Sequence, residues 1–199
     1  MFIAHRGKVS VNSKENTIEA FKEAINDKKY QGFELDIRQS LDNKIVVVHD
    51  MFIGTNLINK TNYSDLKKYA IPLLSDVLSL DTKKKILIEI KDFNMDLDNL
   101  INIINKYQEK NLYIMSFNNK VINELIKRKV NAKCGILHYI FNRELSYNEY
   151  DFICILNDFL TDNIIDYFQR RNIEVFSYGI RGNYIEQQDN VYYIIDNKS

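Results

Sequence analysis

Short apolar runs, alternating or continuous, recur near residues 2–5, 33–37, 86–90, 112–116, 133–137, 152–156, 174–178 and 191–195, which makes eight candidate strands. Between most of them the spacing turns helical: Ile18, Phe21, Ala24 and Ile25; Leu74, Val77 and Leu78; Leu97, Leu100, Ile101 and Ile104; Val121, Ile122 and Leu125; Ile164, Ile165 and Phe168. Strand and helix alternate along the chain, which predicts βα repetition and a parallel sheet. The expected fold is a compact, somewhat irregular (β/α)8 TIM barrel occupying residues 1–199 as one domain, near the lower size bound of roughly 200 residues for such barrels. Asn16, with Glu19 three residues on, reads as the cap of the first helix, and Pro72 sits where a helix starter would. Periodicity is poorest from His138 to Tyr150.

One stretch departs from the repeat. Only a dozen residues separate Asp36 from His49, barely the minimum for a βαβ crossover, and Gln39–Lys44 has no helical pattern. A hairpin fits instead, opening a short insertion over about 38–71. With Asp42-Asn43 as a two-residue turn, Leu41 faces Lys44 and Asp36 faces His49.

The strand pattern gains meaning from the polar residues at the end of each apolar run. Phe2-Ile3-Ala4 leads into His5-Arg6-Gly7, Phe33 into Glu34-Leu35-Asp36, Val46-Val47-Val48 into His49, and Ile86-Leu87-Ile88 into Glu89-Ile90-Lys91. In parallel α/β barrels the site lies beyond the carboxyl ends of the strands, so these side chains converge. Glu34 and Asp36 are two apart and share a face, while Phe33, Leu35 and Ile37 point to the helices. Three carboxylates that close demand protons or a cation, and all-oxygen ligation favours one divalent ion, Mg2+ or Ca2+. Arg6 and Lys91 add positive charge suited to a phosphate group. His5 and His49 titrate near neutrality and can serve as general acid and base. These parts together suit phosphodiester cleavage.

Composition narrows the context. Twenty-seven basic residues balance 27 acidic ones, which argues against nucleic acid as a partner. No apolar run approaches a membrane span of ~18 residues, and no basic segment precedes the first apolar run. A cytoplasmic protein without stable membrane insertion is expected, its oligomeric state left open. Cys134 and Cys154 each sit inside an apolar run and read as buried, unpaired thiols.

Taken in order, Ile3-Ala4-His5-Arg6-Gly7, Glu15-Asn16-Thr17-Ile18-Glu19-Ala20-Phe21, Gly32-Phe33-Glu34-Leu35-Asp36-Ile37, Val48-His49-Asp50, Glu89-Ile90-Lys91 and Ser116-Phe117 resemble the glycerophosphodiester phosphodiesterase family, within the phospholipase C-like barrels. The resemblance implies His5 and His49 as the acid/base pair, Glu34, Asp36 and Glu89 as metal ligands, and Arg6 and Lys91 as phosphate binders. It also implies a small-molecule glycerophosphodiester substrate, attack on phosphorus by the substrate's own hydroxyl, and a cyclic phosphate opened by water to glycerol 3-phosphate. Ser116, Tyr178 and Arg181 are candidate substrate contacts. The family's Trp-Thr-Val-Asn falls on Tyr178-Gly179-Ile180-Arg181, its closing Thr-Asp on Asp196-Asn197, and Met51–Ile71 is short, keeping only Thr55-Asn56 of an Arg-Thr-Thr-Asn run. Arg181 is an added cation that would favour a more anionic substrate. Two rivals stand beside this reading: a phospholipase D-like or cyclising enzyme on lysophospholipids, which needs an apolar groove the sequence does not display, and a noncatalytic phosphate-binding module.

Overall fold

Strand β1 (Phe2–Ala4) spans only three residues, yet it closes the barrel. Along the chain follow α1 (Ile18–Asn26), β2 (Tyr30–Gln39), β3 (Ile45–Val47), β4 (Phe52–Ile53), β5 (Asn56–Leu57), α2 (Tyr63–Leu66), α3 (Leu74–Leu78), β6 (Lys85–Ile90) and α4 (Leu97–Ile104). The chain continues through β7 (Asn111–Ser116), α5 (Asn119–Lys127), β8 (Lys133–His138), β9 (Phe152–Leu156), α6 (Asp162–Gln169), β10 (Glu174–Tyr178) and β11 (Val191–Ile195). The structure is a computed structural model that describes residues 1–142, 146–180 and 187–197. β1 pairs in parallel with β11 on one side and β2 on the other, so β1, β2, β6, β7, β8, β9, β10 and β11 form a closed ring of eight parallel strands. All eight predicted strands and all five predicted helices are present.

β2 outruns β1, whose pairing ends at Phe33, and β3 takes over the exposed edge by pairing antiparallel with Ile37–Gln39 outside the ring. The hairpin is therefore real, but its register differs by one residue from the sequence expectation. Arg38 pairs with Val46, and the Val48 amide donates to the Asp36 carbonyl at 2.9 Å, so Asp36 faces Val48 and not His49. The cause is the turn. Ser40 and Lys44 bracket a three-residue loop, the Asn43 amide donates to the Ser40 carbonyl, and Asn43 takes the left-handed conformation at φ 58°. Behind it β4 and β5 pair, and a satellite cluster of Val46, Ile58, Leu66 and Ile71 packs the insertion.

Alternation along the strands sorts the core. Phe33, Leu35, Ile37, Ile86 and Ile88 face the helices, whereas Leu87, Tyr113, Met115, Phe152, Cys154 and Phe176 fill the barrel. Tyr113, Phe152 and Phe176 meet edge to face at 5.2–5.5 Å between centroids. Gly135 belongs to this layer because a Cβ there would lie 2.6 Å from the Phe152 ring. The weakly periodic stretch after β8 forms no helix among its described residues. Aromatic packing covers the barrel there instead: Phe141 and Tyr147 pack on Phe168 at 5.3 and 5.1 Å. Cys134 and Cys154 are free and buried, as expected.

Candidate active site

The barrel mouth collects the charged strand ends. β2 presents Glu34 and Asp36, and its parallel register with β6 sets Asp36 beside Glu89. Each of the three carboxylates offers an oxygen within 4.8 Å of the others, and all three residues are buried. Burial, and then the charge of Asp36, push the Glu34 carboxyl up to about 8. Glu89 is raised by burial too, against the opposing pull of Lys91. Glu34 Oε1 is buried with no hydrogen-bond partner. An orphaned oxygen beside two more carboxylates, with no sulfur in the set, fits a hard divalent cation.

Cations and an amide hold the ligands in place. Arg6 takes φ 55° and Gly7 φ 83°, a tight turn in which a Cβ on Gly7 would stand 2.8 Å from Ala20 Cβ. The turn aims the Arg6 amide at Glu34 Oε2, 3.0 Å away. The Arg6 guanidinium reaches both Glu15 oxygens at 3.0 Å and stands 3.2 Å from Asp36. Lys91 Nζ lies 2.7 Å from Glu89 and 3.6 Å from Asp36.

Asn16 overturns its reading as a helix cap. Thr17 caps α1, accepting from the Ala20 amide, while Asn16 is buried at φ 56° and clasps Asp36: its amide donates to Asp36 Oδ2 at 2.9 Å, and its oxygen accepts from the Asp36 backbone at 3.3 Å. A left-handed residue with an amide head serves both demands.

The histidines are held differently. His5 Nδ1 donates to Asp196 Oδ1 at 2.6 Å, which leaves Nε2 3.9 Å from Glu34. Burial lowers the His5 pKa, but the bond to Asp196 and the charge of Glu34 outweigh it, and the net direction is up. His49 Nδ1 bonds Asp50 at 2.8 Å, and its carbonyl accepts from Arg38 Nε at 2.8 Å. Arg38 in turn pairs with Asp92 at 2.6 Å, so a buried guanidinium ties the His49 segment to the loop after β6. A proton on His49 would favour the ionised form of Glu89, so the two are within electrostatic reach even though the hairpin register does not set His49 against Asp36.

A cavity of about 250 Å³ opens above this floor, lined by His5, Arg6, Glu34, Glu89, Lys91 and Asp196 on one side and by Phe117, Tyr178 and Ile180 on the other. Of the candidate substrate contacts, Tyr178 lines the cavity and its hydroxyl donates to the His138 carbonyl at 3.3 Å. Ser116 is buried, donating to the Ile90 carbonyl at 2.9 Å and accepting from the Asn118 amide. Arg181 lies outside the described residues. Sequence reasoning gave no site role to Asn16, Glu15, Arg38 or Asp196. The rule that found the others would have found Asp196, which also directly follows a barrel strand.

The model of the glycerophosphoryl diester phosphodiesterase family matches residues 5–196. The chain belongs to this family. A glycerophosphodiester phosphodiesterase of Caldanaerobacter subterraneus subsp. tengcongensis is 31% identical over 163 residues, 69% of this chain and 66% of that relative, so the chain spans just under two thirds of its length. The crystal structure of a glycerophosphodiester phosphodiesterase from Thermotoga maritima superposes with a TM-score of 0.77 at 26% identity, covering 98% of this chain and 93% of its own. An Oleispira antarctica phosphodiesterase, solved with its product sn-glycerol-3-phosphate, shares the fold with a TM-score of 0.78 at 19% identity, covering 91% and 85%. These matches agree with the closed barrel described above, and β3 pairs with β2 outside the ring. Among the described residues no helix is long and apolar enough to cross a membrane.

Proposed function

We propose that the chain, acting over residues 1–199 as one domain, is a divalent-metal-dependent phosphodiesterase that hydrolyses a glycerophosphodiester to an alcohol and glycerol 3-phosphate. The observation that carries the reading is the cavity whose floor joins three buried carboxylates, two cations and a carboxylate-held histidine in a chain of this family. The product held by the Oleispira relative supports the substrate class.

Glu34, Asp36 and Glu89 would hold one Mg2+ or Ca2+. When bound, the ion neutralises charge on the phosphate oxygens. Asn16 fixes the Asp36 carboxylate, and the Arg6 amide fixes Glu34. Arg6 and Lys91 add positive charge at the phosphate, where charge grows as the nucleophile adds. His5 and His49 move the protons. The raised pKa of His5 keeps its Nε2 protonated further into the neutral range, which suits the donor to the departing alkoxide. His49 then takes the proton of the attacking hydroxyl, either the substrate's own, giving a cyclic phosphate, or that of water. Tyr178 bounds the apolar wall against which the glycerol carbons rest. The two free cysteines support a reducing compartment, and we read the enzyme as cytoplasmic.

Mutating each histidine tests the assignment. His5→Ala and His49→Ala each lower kcat on glycerophosphocholine by about 10²–10⁴-fold, the usual range for a lost acid or base. Near-normal turnover in either variant removes that residue from the mechanism.

A further inference from the structure

β2 carries a third charged side chain on the face that holds two of the carboxylates. Glu34, Asp36 and Arg38 alternate with the helix-facing Leu35 and Ile37, and Arg38 lies one residue past Ile37, the last that β2 pairs with β6. Its side chain is only 11% exposed, and it bonds two segments far apart in the chain: Nε donates to the His49 carbonyl at 2.8 Å, and Nη1 donates to Asp92 Oδ1 at 2.6 Å. Asp92 is fixed in turn. Its Oδ2 accepts from the Gln39 amide at 2.8 Å, and the neighbouring Lys91 amide donates to the Ile37 carbonyl at 3.2 Å, so the loop after β6 is bonded firmly to β2.

His49 depends on such support. β3 ends at Val47, and the Val48 amide, bonded to the Asp36 carbonyl at 2.9 Å, precedes it directly. His49 itself belongs to no helix or strand. Its imidazole is 33% exposed, and its Nδ1 partner, Asp50, is 75% exposed, where water weakens the bond. The bond from Arg38 comes instead from a buried, charged donor, the kind that holds an acceptor most strongly.

We infer that Arg38, anchored by Asp92, is a positioning residue that fixes the His49 backbone and with it the imidazole. This rests on the phosphodiesterase reading above, in which His49 moves a proton. Arg38 acts through the histidine rather than on the substrate. A guanidinium suits the task because its rigid planar fork serves two acceptors at once, whereas a lysine ammonium is a single point of charge on a flexible stem.

The test is a double-mutant cycle on glycerophosphocholine with Mg2+ or Ca2+, joined to NMR of the imidazoles. Single-turnover rates with the enzyme in excess keep the slow variants measurable. Arg38→Lys slows turnover by about 10²-fold, the effect of a displacement of about 1 Å at a reacting group. In the His49→Ala background the same substitution changes the rate by less than about twofold, because no imidazole remains to be placed. The imidazole cross-peak of His49, identified by its loss in His49→Ala, moves in Arg38→Lys, while that of His138 stays. Asp92→Asn leaves the guanidinium in place without its charged anchor and shows the same pattern at smaller amplitude, so the test does not hang on the folding of one variant. Equal losses in the two backgrounds, or a His49 cross-peak that does not move, overturn the inference and leave the phosphodiesterase reading standing. No turnover of this or any related diester by the unsubstituted protein overturns both.

Discussion

Asp196→Asn isolates the electrostatic support of His5. The Nδ1–Oδ1 distance is 2.6 Å, and Asp196 supplies both a hydrogen bond and a charge. A hydrogen bond to an ionised group contributes about 1.5–3 kcal/mol when shielded. Here the side chains are 33% and 61% exposed, and solvent screening reduces the contribution to about 1 kcal/mol. Removing that hydrogen bond and charge lowers the His5 pKa. The direction comes from linkage. A histidine raised in the folded state stabilises the protein below its unfolded pKa, and that stability is lost as pH rises through the folded value. The same proton is the one delivered to the leaving group, so the alkaline limb of kcat/KM moves to lower pH in the variant. The assay is kcat/KM across pH, paired with NMR titration of the imidazoles, three in the whole chain. An alkaline limb that stays fixed or moves upward, with His5 titrating unchanged, refutes the reasoning.

Two further outcomes rest on the carboxylates. Because Glu34 is raised to about 8, the metal-free protein loses stability as pH climbs from about 4.5 to about 8, where the buried carboxylate must ionise. Thermal melts in chelator fall across that window, Mg2+ or Ca2+ reverses the fall, and Glu34→Gln removes it; a flat profile contradicts the buried-charge account. Asn16→Ala leaves Asp36 unclasped and weakens divalent-ion binding by about 10–100-fold, read by calorimetry without substrate. Unchanged affinity refutes the positioning role.

The barrel was legible because its strands are nearly continuous apolar runs and its helices carry spaced apolar stripes, both set by burial. Glu34, Asp36 and Glu89 were legible for the same reason: a charge at a strand end, after residues that must be buried, has only the barrel mouth to occupy. The hairpin shows the limit. Its existence followed from chain length, but its register depended on Asn43 adopting a left-handed conformation, which adds one loop residue and slips the pairing by one. Asn16 misled for a related reason. Its side chain suits both a helix cap and a buried left-handed turn, and only its contact with Asp36, twenty residues away, decides between them. The cavity lined by Phe117, Tyr139 and Ile140 was invisible in sequence, because Phe117 lies after β7 and Tyr139 and Ile140 after β8, and they form one surface only once the barrel closes.

Hydrolysis of glycerophosphocholine by the purified protein, with Mg2+ or Ca2+ and with a chelator, tests the metal-dependent diesterase most directly when choline and glycerol 3-phosphate are measured together. The expected result is equal release of both with the metal present, abolished by chelation and restored by adding the ion back. Turnover indifferent to the chelator would contradict the three-carboxylate metal site, and no turnover of this or any related diester would contradict the enzyme itself.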